Sequence, residues 1–189
     1  KPYQALFGVL QGANYEDLRK QTAAFLGAMD FDGYGIGGAL EKETMAQTIQ
    51  WVNQILPENK PRHLLGISEP DDIFAAIEQG IDTFDCVSPT RVARNGAAYT
   101  PFGRVNVRGQ KYRELFEPIM DGCDCYTCRH YTAAYLCHLL HARESLAGTL
   151  LSIHNERFIV KLVDDIRTSL EGGTFYEFRE EFLATYYRR

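Results

Sequence analysis

The sequence predicts an α/β fold built on parallel strands, and two observations carry that prediction. Up to about residue 87, short apolar runs alternate with helical stretches, and each run ends in a polar or glycine-rich turn. Strands separated by helices join in parallel, and such strands are expected to be buried on both faces. Beyond residue 87 the alternation stops. A turn with three cysteines and a long helical tail then set off a second kind of region.

The first run, Leu6–Leu10, ends at Gln11-Gly12. A helix follows from about Asn14, a good capping residue, with Leu18, Thr22, Phe25 and Leu26 on one face. Tyr34–Ile36 leads through Gly37-Gly38 to a helix carrying Met45, Ile49, Val52 and Leu56. Leu64–Ile67 leads through Ser68-Glu69-Pro70 to a short helix with Ile73, Phe74 and Ile77 that stops at Gly80. Thr83–Val87 is the fourth run. Four such units make either half of a (β/α)8 barrel or a small open sheet. In both, functional side chains collect at the C-terminal ends of the strands. Those ends hold Gln11, Gly37, Gly38, Gly66 and Asp85. An acidic residue closing an apolar strand is expensive to bury without a purpose.

From Ser88 to Arg108 the arginines 91, 94, 104 and 108 alternate with Asn95-Gly96, Pro101 and Gly103. This reads as a loop and a hairpin with exposed cationic faces. Helices are expected at about Tyr131–Leu146, at about Leu150–Leu170 and after Gly173. Tyr131, Tyr135, Leu139 and Leu146 form one candidate core stripe, and Phe158, Leu162 and Ile166 form another.

Cys123-Asp124-Cys125-Tyr126-Thr127-Cys128, with His154 downstream, gives a C-x-C-x2-C-x25-H pattern. Three thiols and an imidazole are the donors that a tetrahedral zinc site needs. Buried free cysteines are the bland alternative, but three of the five cysteines crowd into one polar turn. The odd count also fits a disulfide framework poorly. Protein fills all four positions, so the zinc is structural and any chemistry lies elsewhere.

Composition sets the remaining limits. The chain has 189 residues, 45% hydrophobic content and seven prolines, as expected of a globular protein. No apolar run approaches a membrane span, and reduced thiols with zinc point to the cytoplasm. A net charge of −5 gives no global drive toward nucleic acid, though a local basic patch remains open. The chain starts Lys-Pro-Tyr-Gln, without methionine, and runs at once into an apolar segment. The expectation is that it is the C-terminal part of a longer protein.

Five motifs in order meet a known family. They are Phe7-Gly8-Val9-Leu10-Gln11-Gly12, Gly35-Ile36-Gly37-Gly38, Gly80–Asp85, Phe84–Gly96, and the three cysteines with His154-Asn155. Together they resemble the tRNA-guanine transglycosylases (queuine tRNA-ribosyltransferases) from Leu6 to about Tyr187. The resemblance implies a (β/α)8 TIM barrel with a zinc-bearing insertion, of which this chain supplies strands five to eight. Residues 1–112 would form the half-barrel with its basic loop and hairpin, and residues 113–189 the zinc-binding subdomain and C-terminal helices, packed as one unit with it.

Such enzymes exchange guanine at the anticodon wobble position of tRNA for a 7-deazaguanine in the queuosine pathway. The resemblance makes Asp85 the nucleophile that attacks C1′ of the ribose and forms a covalent ribosyl-enzyme intermediate, as in a retaining glycosidase. It makes Gln11, Gly37 and Gly38 the guanine-recognition groups, and Arg91 and Arg94 the anticodon-loop contacts. It makes Cys123, Cys125, Cys128 and His154 the zinc ligands. It implies a homodimer too, with Tyr131, Tyr135 and His138 as part of the contact. The family's general acid/base aspartate and a second guanine-binding aspartate have no counterpart in this chain.

There are departures. Ala39-Leu40-Glu41-Lys42-Glu43 replaces the usual Leu-Ala-Val-Gly-Glu, which leaves open which 7-deazaguanine is accepted. Gln11-Gly12-Ala13 replaces Q-G-G, and Ala133 stands where arginine is common. Two competing readings are a non-catalytic tRNA-binding partner subunit and a related transglycosylase acting on another nucleic acid. Retention of Asp85, Gln11 and both arginines favours the enzyme.

Overall fold

Residues 7–85 build one parallel sheet from four short strands, β1 (Phe7–Leu10), β2 (Gly33–Ile36), β3 (Arg62–Leu65) and β4 (Thr83–Asp85). Helices α1 (Glu16–Gly27), α2 (Met45–Asn53) and α3 (Pro70–Glu78) connect them. The computed structural model describes residue 1, residues 3–38 and residues 41–188. The chain divides into two compact units, Lys1–Cys86 and Val87–Arg189. The loop and hairpin after Ser88 thus fall in the second unit, with the cysteine turn.

In the first unit the strands are hydrogen-bonded in chain order, β1-β2-β3-β4, all parallel. Right-handed crossovers that always add the next strand on the same side put every helix on one face. Leu10, Ile36 and Leu64 lie in register across three strands and are fully buried against Ala23, Ile49, Val52 and Ala76 of the helices. The opposite face carries Phe7, Val9 and Leu65, each more than a third exposed. Burial on both faces was the expectation. Here the helices cover only one.

The two glycines of β2 follow from its neighbours. A β-carbon at Gly33 would come 2.5 Å from the Phe7 ring, and one at Gly35 would come 3.3 Å from Leu65. Side chains from β1 and β3 therefore lean over β2 and fill the space that its own side chains would need.

Two details of this unit correct the sequence reading. The expected apolar stripe of α1 is largely solvent-facing, with Leu18 and Phe25 exposed, while Arg19 and Ala23 are buried. Strand β3 begins at Arg62, two residues before the expected start.

In the second unit, residues 88–94 form helix α4 (Ser88–Arg94), not a loop. Pro89 sits in its first turn, where a missing N–H costs nothing, and Ala93 packs inside. The hairpin is as expected: β5 (Ala97–Thr100) pairs antiparallel with β6 (Gly103–Asn106). Helices α5 (Tyr126–His130), α6 (Ala133–His141), α7 (Ser145–Glu171) and α8 (Phe175–Tyr186) follow. The break between α6 and α7 falls at residues 142–144, where Arg143 has φ 60, several residues before the expected gap. One core holds Ala93, Ala98, Leu136, Leu140, Leu150 and Leu151, and Tyr99, Phe158 and Tyr186 form another. Phe158, Leu162 and Ile166 are buried as read, whereas Tyr135 and Leu146 are exposed. Among the described residues no helix is long and apolar enough to cross a membrane.

Candidate functional site

The three cysteines and His154 come together in the second unit. Their donor atoms all lie within 4.8 Å of one another. Cys125 caps α5, its sulfur accepting from the Cys128 amide at 3.3 Å, so the turn that starts this short helix also gathers the thiols. His154 arrives from the buried face of α7. Its Nδ1 stands 3.7, 3.7 and 3.3 Å from the sulfurs of Cys123, Cys125 and Cys128. A tetrahedral ion with bonds of ~2.3 Å to sulfur and ~2.0 Å to nitrogen would set these separations at roughly 3.6 Å. The donor set fits a metal ion of that size.

The far side of the imidazole fixes its tautomer. His154 Nε2 is 2.8 Å from the Tyr99 carbonyl oxygen, which can only accept, so in the neutral ring the proton sits on Nε2 and the Nδ1 lone pair faces the sulfurs. Asn155, fully buried beside it, locks the same strand. Its Oδ1 accepts from the Tyr99 amide at 2.9 Å, and its Nδ2 donates to the carbonyls of Pro89 at 3.0 Å and Ala97 at 3.1 Å.

The electrostatics show why such a cluster calls for a cation. Hydrogen bonding from Cys128 brings the Cys125 thiol down to about 3, against the opposing effect of burial. The Cys125 thiolate in turn pushes Cys128 far up. Burial alone would lower His154, yet hydrogen bonds with Cys123 and Cys125 raise it to about 9. Packed together, these groups resist full deprotonation, and a divalent ion removes that conflict.

In the first unit the strand-end candidates gather at one end of the sheet. Gln11 follows β1 and Gly37 follows β2, whose amide donates to the Leu10 carbonyl at 3.1 Å. The Gln11 amide lies over both glycines. A β-carbon on Gly37 would come 2.9 Å from its Nε2, and one on Gly38 would come 2.9 Å from its Oε1. Gly38 also has φ 96, a backbone conformation that L side chains rarely adopt.

Beneath this turn lies Arg19 of α1, which the sequence reading missed. It is fully buried, with Nε donating to the Ala13 carbonyl and Nη1 to the Gly37 carbonyl, both at 2.7 Å. Burial lowers its pKa. Its guanidinium ties the two glycine-rich turns together from below. Nothing in the sequence marks an arginine on a helix as an inward-facing clamp.

Asp85 closes β4 on the helix-free face, its side chain 60% exposed. His63 of β3 stands next to it, with Nε2 3.0 Å from Asp85 Oδ1. This neighbour was also missed, because the register of strands twenty residues apart is not written in either one. Lys42, a departure from the family pattern, pairs with Asp71 at 2.6 Å and Asp72 at 3.2 Å in the first turn of α3. Ala39 and Leu40 of the same segment lie outside the described residues.

Arg91 and Arg94 belong to the second unit, exposed in the last turn of α4. Arg108 is committed to the fold, donating to the Leu140 carbonyl at 2.6 Å. Tyr131 and Tyr135 stack, with centroids 5.4 Å apart, and Tyr135 and His138 are exposed.

Residues 1–188 match the family model described as queuine tRNA-ribosyltransferase. The chain is similar to proteins named queuine tRNA-ribosyltransferase from Symbiobacterium thermophilum, 46% identical over 97% of this chain and 47% of the relative. Those from Pediococcus pentosaceus (47% identical, 97% and 49% covered) and Caldanaerobacter subterraneus (46%, 97% and 50%) agree. The chain therefore spans about half the length of the curated relatives it matches.

Proposed function

Because this chain belongs to the queuine tRNA-ribosyltransferase family, we propose that it works as part of a pentosyltransferase that exchanges guanine at the tRNA wobble position for a 7-deazaguanine. One observation carries the proposal. The Asp85 carboxylate stands open to solvent at the C-terminal end of the parallel sheet, the same end at which the Gln11 amide spans Gly37 and Gly38.

In this reading one oxygen of Asp85 bonds to C1′ of the ribose as the bond from C1′ to guanine breaks. The electron pair leaves with the base, which takes its proton from an acid outside these residues. The transition state is oxocarbenium-like, and a fixed carboxylate first stabilises and then captures it. The incoming base attacks C1′ from the opposite side, and the proton of its attacking ring nitrogen passes to the same group outside these residues. The electron pair of the ester C1′–O bond returns to Asp85. Gln11 supplies an amide donor and acceptor, and the peptide groups of Gly37 and Gly38 approach the flat base closely. Arg91 and Arg94 hold anticodon-loop phosphates through their planar forks.

Cys123, Cys125, Cys128 and His154 hold a structural zinc that joins the cysteine turn to α7. The four strands are strands five to eight of a (β/α)8 barrel. Their chain-order parallel pairing, with helices on one face only, supports that arrangement. The protein is cytoplasmic in this reading. Two copies associate through the surface of Tyr131, Tyr135 and His138, and sedimentation as a strict monomer at micromolar concentration would count against that contact.

Asp85→Asn, made in the protein as its gene encodes it, tests the chemistry. The variant keeps the side chain's shape and removes its nucleophilic charge. Base exchange should fall by several orders of magnitude, while tRNA affinity changes little. A covalent tRNA adduct, seen as a gel shift that survives denaturation, should disappear. Exchange at the parent rate would make Asp85 a structural residue and overturn the assignment.

A further inference from the structure

Three side chains on the helix-free face of the first unit form one hydrogen-bonded relay. His63 is the register partner of Thr83, and Asp85 lies two residues further along β4, on the same face as Thr83. His63 Nδ1 is 2.8 Å from Thr83 Oγ1, and Nε2 is 3.0 Å from Asp85 Oδ1. The imidazole is three-quarters buried, whereas the carboxylate is mostly open.

Donor and acceptor roles in this relay follow from chemistry. An ionised carboxylate only accepts, so Nε2 carries the proton that points at Asp85. A neutral ring then presents a lone pair at Nδ1, and the Thr83 hydroxyl donates to it. The hydroxyl can turn and accept when the ring is protonated, so the bond to Asp85 holds in either state. The carboxylate thereby sets the tautomer of the ring, and the Thr83 hydroxyl holds the ring in place from Nδ1.

We propose that His63 is a positioning residue for Asp85, an inference that rests on Asp85 being the nucleophile. The Nε2–H bond pins Oδ1 and turns Oδ2 toward the ribose. When Oδ2 bonds to C1′, Oδ1 becomes the carbonyl oxygen of the ester and loses charge. When the incoming base displaces the ester, that charge returns to Oδ1, where the Nε2–H stabilises it. No proton leaves His63 at any stage. Its effect therefore falls most heavily on the second displacement, in which the carboxylate is the leaving group.

The test compares His63→Phe, which keeps a planar ring without a donor, with His63→Gln, whose amide N–H can reach the carboxylate. Both are made in the protein as its gene encodes it and checked for unchanged urea midpoint and tRNA KM. His63→Phe should lower kcat by roughly 10- to 100-fold, the range expected from losing one hydrogen bond to a charged group. Pre-formed tRNA adduct should be resolved by added base more slowly in the same proportion. His63→Gln should recover most of that loss. Thr83→Val, which removes only the hydroxyl that holds the ring at Nδ1, should give a smaller defect in the same step.

A parent kcat in His63→Phe, or a His63→Gln variant as impaired as the phenylalanine one, would overturn the proposal. A loss confined to KM would do the same. Asp85→Asn run alongside separates the two readings. An active Asp85→Asn removes the nucleophile assignment and this inference with it. An inactive Asp85→Asn beside an unimpaired His63→Phe removes the inference alone.

Discussion

Replacing Asn155 by alanine should unfasten the second unit at one point, and the structure sets the size of the effect. The side chain is fully buried and makes three hydrogen bonds, one from the Tyr99 amide and two to the carbonyls of Pro89 and Ala97. These bonds join α7 to β5 and to α4. The Tyr99 amide and the Pro89 carbonyl are bonded at buried positions, and leaving each unsatisfied costs about 1–3 kcal/mol. The bond to Ala97 is only partly buried and water can replace it at smaller cost. The sum is about 4 kcal/mol. With a urea dependence of about 2 kcal/mol per molar, the unfolding midpoint should drop by roughly 2 M. The assay is equilibrium urea unfolding followed by circular dichroism at equal metal loading. Arg157→Ala on the same helix breaks only an exposed ion pair with Asp124 and should leave the midpoint nearly unchanged. A midpoint for Asn155→Ala within the error of that control would refute the accounting, because it would mean that solvent satisfies these backbone groups where they stand. Metal affinity should weaken in parallel, since Asn155 holds the strand whose Tyr99 carbonyl orients His154.

Three further outcomes follow from the sites. Cys125→Ala removes a buried donor and should abolish stoichiometric metal, measured by elemental analysis; a folded variant with full metal content would refute the ligand set. Protons compete with the ion for the three sulfurs and for Nδ1, so metal affinity should fall as pH falls, visible as earlier release to a chelator in acid. Gly37→Ala places a β-carbon 2.9 Å from Gln11 Nε2 and should displace that amide, raising KM for the base with little change in tRNA affinity. An unchanged KM would place base recognition elsewhere.

The local pattern of this chain is strong enough to be read from residue order alone. Alternating apolar runs and helical stretches located all four strands and the three helices between them, and the Asn-Gly and Gly-bearing segments located the hairpin. Cysteine spacing picked out three members of the cluster that could hold a metal ion, because three donors within six residues lie close in space whatever the rest of the chain does. Where signals competed, tertiary packing won. Arg91 and Arg94 beside Asn95-Gly96 read as loop, yet Ala93 packs into the core and draws residues 88–94 into a helix. On α1 the apolar stripe predicts Leu18 and Phe25 inside, but Arg19 finds two backbone carbonyls beneath the glycine turns and is buried instead.

Sequence by itself determined the four parallel strands, the helices between them, the hairpin and the residue types available for chemistry, because those depend on neighbours within a few positions. The tertiary structure alone decided that His63 meets Asp85, that Arg19 braces Gly37, and that the Tyr99 carbonyl sets the tautomer of His154. Each of these contacts joins residues 18 to 55 positions apart. They depend on strand register, on which helix face turns inward and on where a backbone carbonyl points, and those are settled only when the sheet and helices pack together.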